Sequence, residues 1–184
     1  MAVFVVVPPA PLVSLAEAKA HLRVTNDDED AVITSYCAAA SAHIDGPFGV
    51  LRRAIATQTL EVRASTFSAI DRLPCGPVTA ITAVKFIDAT GVEQDADDAI
   101  YQVHDGRFGL SPSGRWPAVR GDAGGVRVRY TAGFAEVPVP IKQAALLLVG
   151  QWFRNRMAVN VGNIVNEMPN GVKTLLGPYK NWEF

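Results

Sequence analysis

Along this chain the spacing of apolar residues changes twice, from every third or fourth position to alternate positions and back, and that order limits the folds open to it. Ser14-Leu15-Ala16-Glu17 has the form of a capping box, in which the Ser14 hydroxyl accepts from the Glu17 amide and the Glu17 carboxylate reaches back to the amide of Ser14. A short helix to about Leu22 is expected to follow. Asn26 then precedes Asp27, Asp28, Glu29 and Asp30, acids that suit the positive end of a helix dipole, so a second helix is expected from there to about Asp45. Ile33, Tyr36, Cys37, Ala40 and Ile44 give it an apolar face, Ala38, Ala39, Ala40 and Ala42 keep it slim for close packing, and Gly46-Pro47 stops it.

From Ala56 to Thr131 the pattern is that of strands. Thr57 to Arg63 reads as a half-buried strand, Ile70 to Leu73 as a short one and Ile81 to Ile87 as the clearest, with Asp88-Ala89-Thr90-Gly91 as a turn. Tyr101 to His104, Arg107 to Leu110 and Val126 to Tyr130 complete the set. In the last of these Val126, Val128 and Tyr130 share a dry face while Arg127 and Arg129 share a wet one. Val137-Pro138-Val139-Pro140 opens a third helix, whose Ile141, Ala144, Ala145, Leu148, Val149, Trp152 and Phe153 form a stripe that Leu146 and Leu147 widen until nearly the whole helix is apolar.

The expected fold class is therefore α+β: a small helical bundle of two N-terminal helices and one strongly apolar C-terminal helix, with an inserted antiparallel β-sheet or barrel and an extended C-terminal arm. The expected division is 1–13 as an extended N-terminal arm, 14–55 with 134–157 as the helical core, 56–133 as the inserted β block and 158–184 as the C-terminal arm. With 184 residues, 49% of them hydrophobic and 19% charged, the chain has enough apolar material for a real core. A net charge of -1 disfavours a dedicated nucleic-acid-binding domain. Cys37 and Cys75 lack short spacing, which suits a reducing compartment and needs no disulfide. Met1 to Val7 is apolar, but no basic residue precedes it and Pro8, Pro9 and Pro11 end it, so it reads as neither signal peptide nor membrane span. A short arm able to add to a sheet edge fits it better, in a soluble protein made in the cytoplasm.

The C-terminal stretch from Arg154 to Phe184 has a different character. Val159, Val161, Ile164, Val165, Met168, Leu175, Leu176, Tyr179, Trp182 and Phe184 give it much apolar surface, yet Gly162, Pro169, Gly171, Gly177 and Pro178 break any long element. Such a segment finds its cover on another surface, either its own domain or a neighbouring subunit.

Several stretches taken in order resemble one family. They are Leu12-Val13-Ser14-Leu15-Ala16-Glu17-Ala18-Lys19-Ala20-His21-Leu22-Arg23-Val24, the acidic helix start at Asp27 to Asp30, Leu73-Pro74-Cys75-Gly76-Pro77-Val78, Tyr130-Thr131-Ala132-Gly133-Phe134, Val137-Pro138 through Trp152-Phe153-Arg154-Asn155-Arg156, and Leu175-Leu176-Gly177-Pro178-Tyr179. In this order and spacing, over almost the whole chain, they look like the head-tail connector or adaptor proteins of long-tailed phages, prophages and phage-derived gene transfer agents. Cys75 stands where that family usually has Arg or another polar residue, a turn position with no functional weight. The resemblance implies a structural virion protein with no cofactor. It implies a homo-oligomeric ring of roughly twelve copies under the portal protein that continues the channel for double-stranded DNA and offers a platform to a tail-side stopper protein. It also implies a C-terminal segment that reaches the portal. Burial of such a segment gains about 25 cal/mol per Å² of apolar surface against an ordering cost of about 1 to 2 kcal/mol per residue.

Portal or neighbour contacts are accordingly expected from Val159, Val161 and Ile164 as an added strand, from Leu175, Leu176 and Pro178, and from Tyr179, Trp182 and Phe184 as anchors. Arg154, Arg156, Lys173 and Lys180 are the expected polar partners of portal or DNA backbone. The alternative is that Tyr179 and Trp182 fold back on their own domain and that the four basic residues are solvated surface. Deleting 170–184 is expected to leave a soluble fold and abolish portal attachment.

Other classes find little support. His21, His43 and His104 lack metal-ligand spacing, and Gly121-Asp122-Ala123-Gly124-Gly125 precedes a strand and lacks the Lys-Ser/Thr ending of a phosphate loop, so it reads as a hairpin turn. No Gly-x-Ser-x-Gly occurs, and Asp95, Asp97 and Asp98 fall in what reads as an exposed loop. A stopper or tail-completion protein is the nearer alternative, and a small enzyme or ligand-binding domain the more distant one.

Overall fold

The computed structural model describes residues 1–155 and 170–181. Its order is β1 (Ala2–Val7), α1 (Leu15–Leu22), α2 (Asp30–Ile44), β2 (Gln58–Ala64), β3 (Val78–Ile87), β4 (Glu93–Asp95), β5 (Tyr101–His104), β6 (Arg107–Leu110), β7 (Val126–Ala132), α3 (Val139–Arg154) and α4 (Asn170–Leu176), an α+β fold. The chain divides into two compact units. One comprises residues 1–9 with 57–135, and the other 10–56 with 136–184.

The first unit is built on an open antiparallel sheet in the order β1-β2-β7-β3-β4, beside a separate β5-β6 hairpin. Register sets its two faces. Val62, Val128 and Val84 lie side by side, as do Ala64, Val126 and Phe86, and all six are buried. Phe86 meets Phe67 at 5.7 Å, Phe67 stacks on Trp116 at 4.4 Å, and Trp116 lies 5.5 Å from Phe108, so aromatic rings complete this core. The opposite face carries the rows Phe4–Glu61–Arg129–Ala83 and Ala2–Arg63–Arg127–Lys85–Asp95. The dry and wet sides expected of β7 are thus the two faces of the sheet. Buried Tyr130 donates its hydroxyl to the Pro74 carbonyl at 2.6 Å, tying the 73–78 turn to β7.

Ile70 to Leu73 is a correction to the sequence reading, for it is not a strand. A single 3-10 turn, Phe67–Ala69, precedes it, and its backbone bonds to the hairpin: the Leu73 amide to the Gly106 carbonyl at 2.8 Å and the Phe108 amide to the Asp71 carbonyl at 2.9 Å. Ile70 and Leu73 are buried all the same, and burial is what their apolar character recorded. β4, with Glu, Gln and Asp, gives no hydrophobic alternation and is found only through its pairing with Lys85, Phe86 and Ile87.

In the second unit α3 packs against α1, α2 and α4. Its buried residues are Ile141, Ala144, Ala145, Leu148, Val149 and Gly150. The capping box of α1 is present in full, with the Glu17 amide bonded to Ser14 Oγ at 3.2 Å and the Ser14 amide to Glu17 Oε2 at 2.7 Å. The acidic run differs from expectation: α2 begins at Asp30, Glu29 stands at its N-cap without a side-chain cap bond, and Asp27 and Asp30 both take Lys19 Nζ at 2.6 Å. Asp27 and Asp30 thus serve an ion-paired link from α1 to α2. Ala40 is buried, but Ala38, Ala39 and Ala42 are exposed and line no packing interface among the described residues. Two buried polar groups organise the connections. Ser41 Oγ accepts from the Leu12 amide at 2.8 Å, and the Asp45 carboxylate accepts from the amides of Ile55 and Ala56 at 2.7 and 3.0 Å. At Gly49 a Cβ would sit 2.5 Å from the carbonyl oxygens of Ile44 and Asp45, so only glycine fits this turn.

Candidate functional site

The segment expected to be an extended arm is helical over most of its described residues. Asn170–Leu176 forms α4 and Gly177–Tyr179 a 3-10 turn. Val172 and Leu176 lie one helical turn apart and are buried, Val172 completely and Leu176 to 4% exposure, where α4 packs on α3. The Thr174 hydroxyl bonds the Asn170 carbonyl at 2.9 Å, and beyond the 3-10 turn the Asn181 amide donates to the Leu51 carbonyl at 3.1 Å. This corrects the expectation for Leu176, which is core of its own unit rather than a free contact. Deleting 170–184 would remove Val172 and Leu176 and uncover the face of α3 that they pack on, so a loss of stability is expected alongside any loss of portal attachment.

The other described candidates are placed outward. Pro178, Lys173, Lys180 and Arg154 are exposed, while Leu175 and Tyr179 are half-buried. The structure thus brings Lys173, Leu175, Pro178, Tyr179 and Lys180 onto one short helix-turn segment, a mixed apolar and basic surface whose backbone is fixed by the buried pair. Val159, Val161, Ile164, Arg156, Trp182 and Phe184 lie outside the described residues.

Nothing in the rest of the described structure assembles catalytic machinery. Asp97 accepts from the Ala99 amide at 2.9 Å and the Asp98 carboxylate from the Tyr101 hydroxyl, so both carboxylates serve local turns. Burial and that hydrogen bond push the Tyr101 hydroxyl well above its ordinary range. His104 is 91% exposed, and among the described residues no group of three or more His, Cys, Asp or Glu side chains is placed to hold a metal. An open groove of about 660 Å³ in the helical unit, lined by Pro11, Leu12, Val13, Val137 and Val139, has Glu17, Glu136 and Lys142 as its titratable groups. Glu17 is held at about 2 by the Ser14 amide, by Lys142 at 3.0 Å and by the Ser14 hydroxyl, with Oε2 committed to the helix cap and Oε1 to Lys142. No described helix is long and apolar enough to cross a membrane.

A site that sequence reasoning missed lies on the polar sheet face. Glu61 is 4% exposed, with Arg63 at 2.7 Å on one carboxylate oxygen and Arg129 at 2.9 Å on the other, and the Arg63 guanidinium sits 4.5 Å over the Phe4 ring. Burial alone would raise the Glu61 carboxyl, but the hydrogen bonds from Arg129 and Arg63 outweigh it and hold it below its ordinary value. The four residues come from β1, β2 and β7, so only the strand register reveals the cluster.

The profile of the head completion protein family matches residues 11–182. The chain belongs to the head completion protein family. Membership makes it a structural virion protein and not an enzyme. Among solved structures, this head completion protein is similar over 100% of its length, at 26% identity and a TM-score of 0.76, to 97% of a chain in the virion of a native gene transfer agent particle. Chains from the neck of the empty particle, computed with C6 symmetry, and from the neck of the native particle, computed with C12 symmetry, match at the same identity and coverage with TM-scores of 0.75 and 0.72. No curated protein sequence matches the chain.

Proposed function

We propose that this head completion protein is a head-tail connector of the adaptor type: a subunit of a twelve-membered neck ring that docks under the portal, continues the DNA channel and carries the tail-side stopper. The observation that carries this reading is the full-length likeness to a chain from a particle neck computed with C12 symmetry. The described motifs support the adaptor role over a stopper role, for the resemblance extends in order from the α1 capping box to Leu175-Leu176-Gly177-Pro178-Tyr179. In this role the outward face of the 170–181 segment meets the portal, with Tyr179 and Leu175 as apolar contacts and Lys173 and Lys180 as charged ones. The ordering cost of a loose tail is already met for this segment, because Val172 and Leu176 fix its backbone before docking. The protein is made in the bacterial cytoplasm and resides in the virion.

Multi-angle light scattering of the pure chain, alone and with its portal protein, tests the reading. A connector gives a ring-sized mass alone or on the portal. A species that stays monomeric with the portal and joins particles only after the portal is already capped would make it a stopper instead.

A further inference from the structure

The exposed large apolar side chains among the described residues are concentrated in one place. Met1, Phe4, Val5, Val6 and Val7 are between 39% and 70% exposed at and along β1, while Phe48, Val92, Leu110 and Val139 are scattered along the sequence. β1 is also an edge strand. β2 takes one side of its backbone, and no other described strand pairs with it. Exposed apolar edges invite pairing with another chain, and sequences usually guard them with charge. Residues 1–13 contain no charged side chain, and apart from the register shift between Val5 and Val7 and the prolines beyond it no described strand closes the edge.

The far edge of the same sheet has the opposite chemistry. There β4 carries Glu93 and Asp95, which pair with Lys85 and Arg127 of the neighbouring strands, with Val92 54% exposed beside them. Next to β1, Arg63 and Arg129 share the single carboxylate of Glu61, which leaves that side basic. Every neighbouring pair in the order β1-β2-β7-β3-β4 is antiparallel, so β1 and β4 run in the same direction. Two copies set edge to edge in the same orientation therefore join β1 to β4 in parallel, and each leaves the same edges free for the next. That is a head-to-tail contact, the kind that closes into a cyclic ring, whereas β1 pairing with β1 would stop at a dimer.

We propose that the β1 edge of one copy pairs with the β4 edge of a second copy of this chain, forming the seam between adjacent subunits; this rests on the neck-ring reading above. β1 lies outside the residues 11–182 that the family profile matches, but inside the full-length likeness to the neck chains.

The test uses the full chain, alone and with its portal protein. A Val5→Cys/Gln94→Cys double variant treated with a short bis-maleimide is expected to give a ladder of covalent multimers beyond the dimer. Val5→Cys or Gln94→Cys alone, and the wild type with its buried Cys37 and Cys75, should give none. Val5→Lys should lose the ring species while its circular dichroism stays that of the wild type. Rings that form without a ladder, rings that survive Val5→Lys, or Val5→Cys cross-linking to the portal instead would each overturn the seam and leave the neck-ring reading standing. A wild-type chain that forms no ring in either condition would remove both.

Discussion

At the level of single residues the clearest case is Ser14. Its hydroxyl and the Glu17 carboxylate close the first turn of α1 on each other, and both partners lie within four residues, which is why the motif could be read from sequence. Ser14→Ala is expected to lower stability at pH 7 by about 1 kcal/mol in urea titration. The pH dependence follows from Glu17, whose pKa is lowered from 4.5 to about 2 in the folded state. Its contribution is complete above about pH 4.5 and is lost as pH falls toward 2, so the variant should show a shallower loss of stability over that window. A second residue works the other way. Arg23, the C-cap of α1, holds a left-handed conformation with φ of 59°, and Arg23→Gly should raise the melting temperature through relief of about 1 kcal/mol of backbone strain, less the entropy glycine adds to the unfolded chain. The Glu61 cluster, by contrast, was illegible, because Arg129 lies 68 positions away and only strand register brings it near.

Elements were legible in proportion to their length and to how cleanly one period ran through them. α3 and β3 carry long unambiguous patterns, and Leu148 and Val84 fall inside as their spacing requires. α4 has seven residues, too few to be helical on local preference alone, and its two buried residues make a single repeat of the period between Gly171 and Gly177. Those glycines and Pro178 looked like breakers of an extended arm, yet they bound a helix that exists because α3 offers it a face. Leu176→Ala is therefore expected to destabilise the helical unit by about 2 to 5 kcal/mol in thermal or chemical melts. Tyr179→Ala, at a half-buried outward position, should change the melting temperature little and weaken portal binding, measurable by pull-down of purified portal. If Tyr179→Ala instead unfolds the chain and leaves binding intact in the surviving fraction, Tyr179 is a packing residue and the portal face must be sought elsewhere.

At the scale of the whole molecule, the chain visits the sheet-bearing unit twice, in residues 1–9 and again in 57–135. The α+β class was legible because runs of helical and strand periodicity are segregated along the sequence, but membership of β1 in the sheet depends on its pairing with β2 far along the chain. A fragment of residues 57–135 should consequently lack an edge and self-associate in sedimentation velocity, and a peptide of residues 1–9 added in trans should restore a monodisperse species. A monodisperse fragment with no response to the peptide would show that β1 is dispensable to the unit. This interleaving also has a consequence for refolding. Val5 faces Leu60, so the greasy strand gains its cover only after the long intervening helical stretch has been looped out, and that closure entropy falls on the step that completes the sheet.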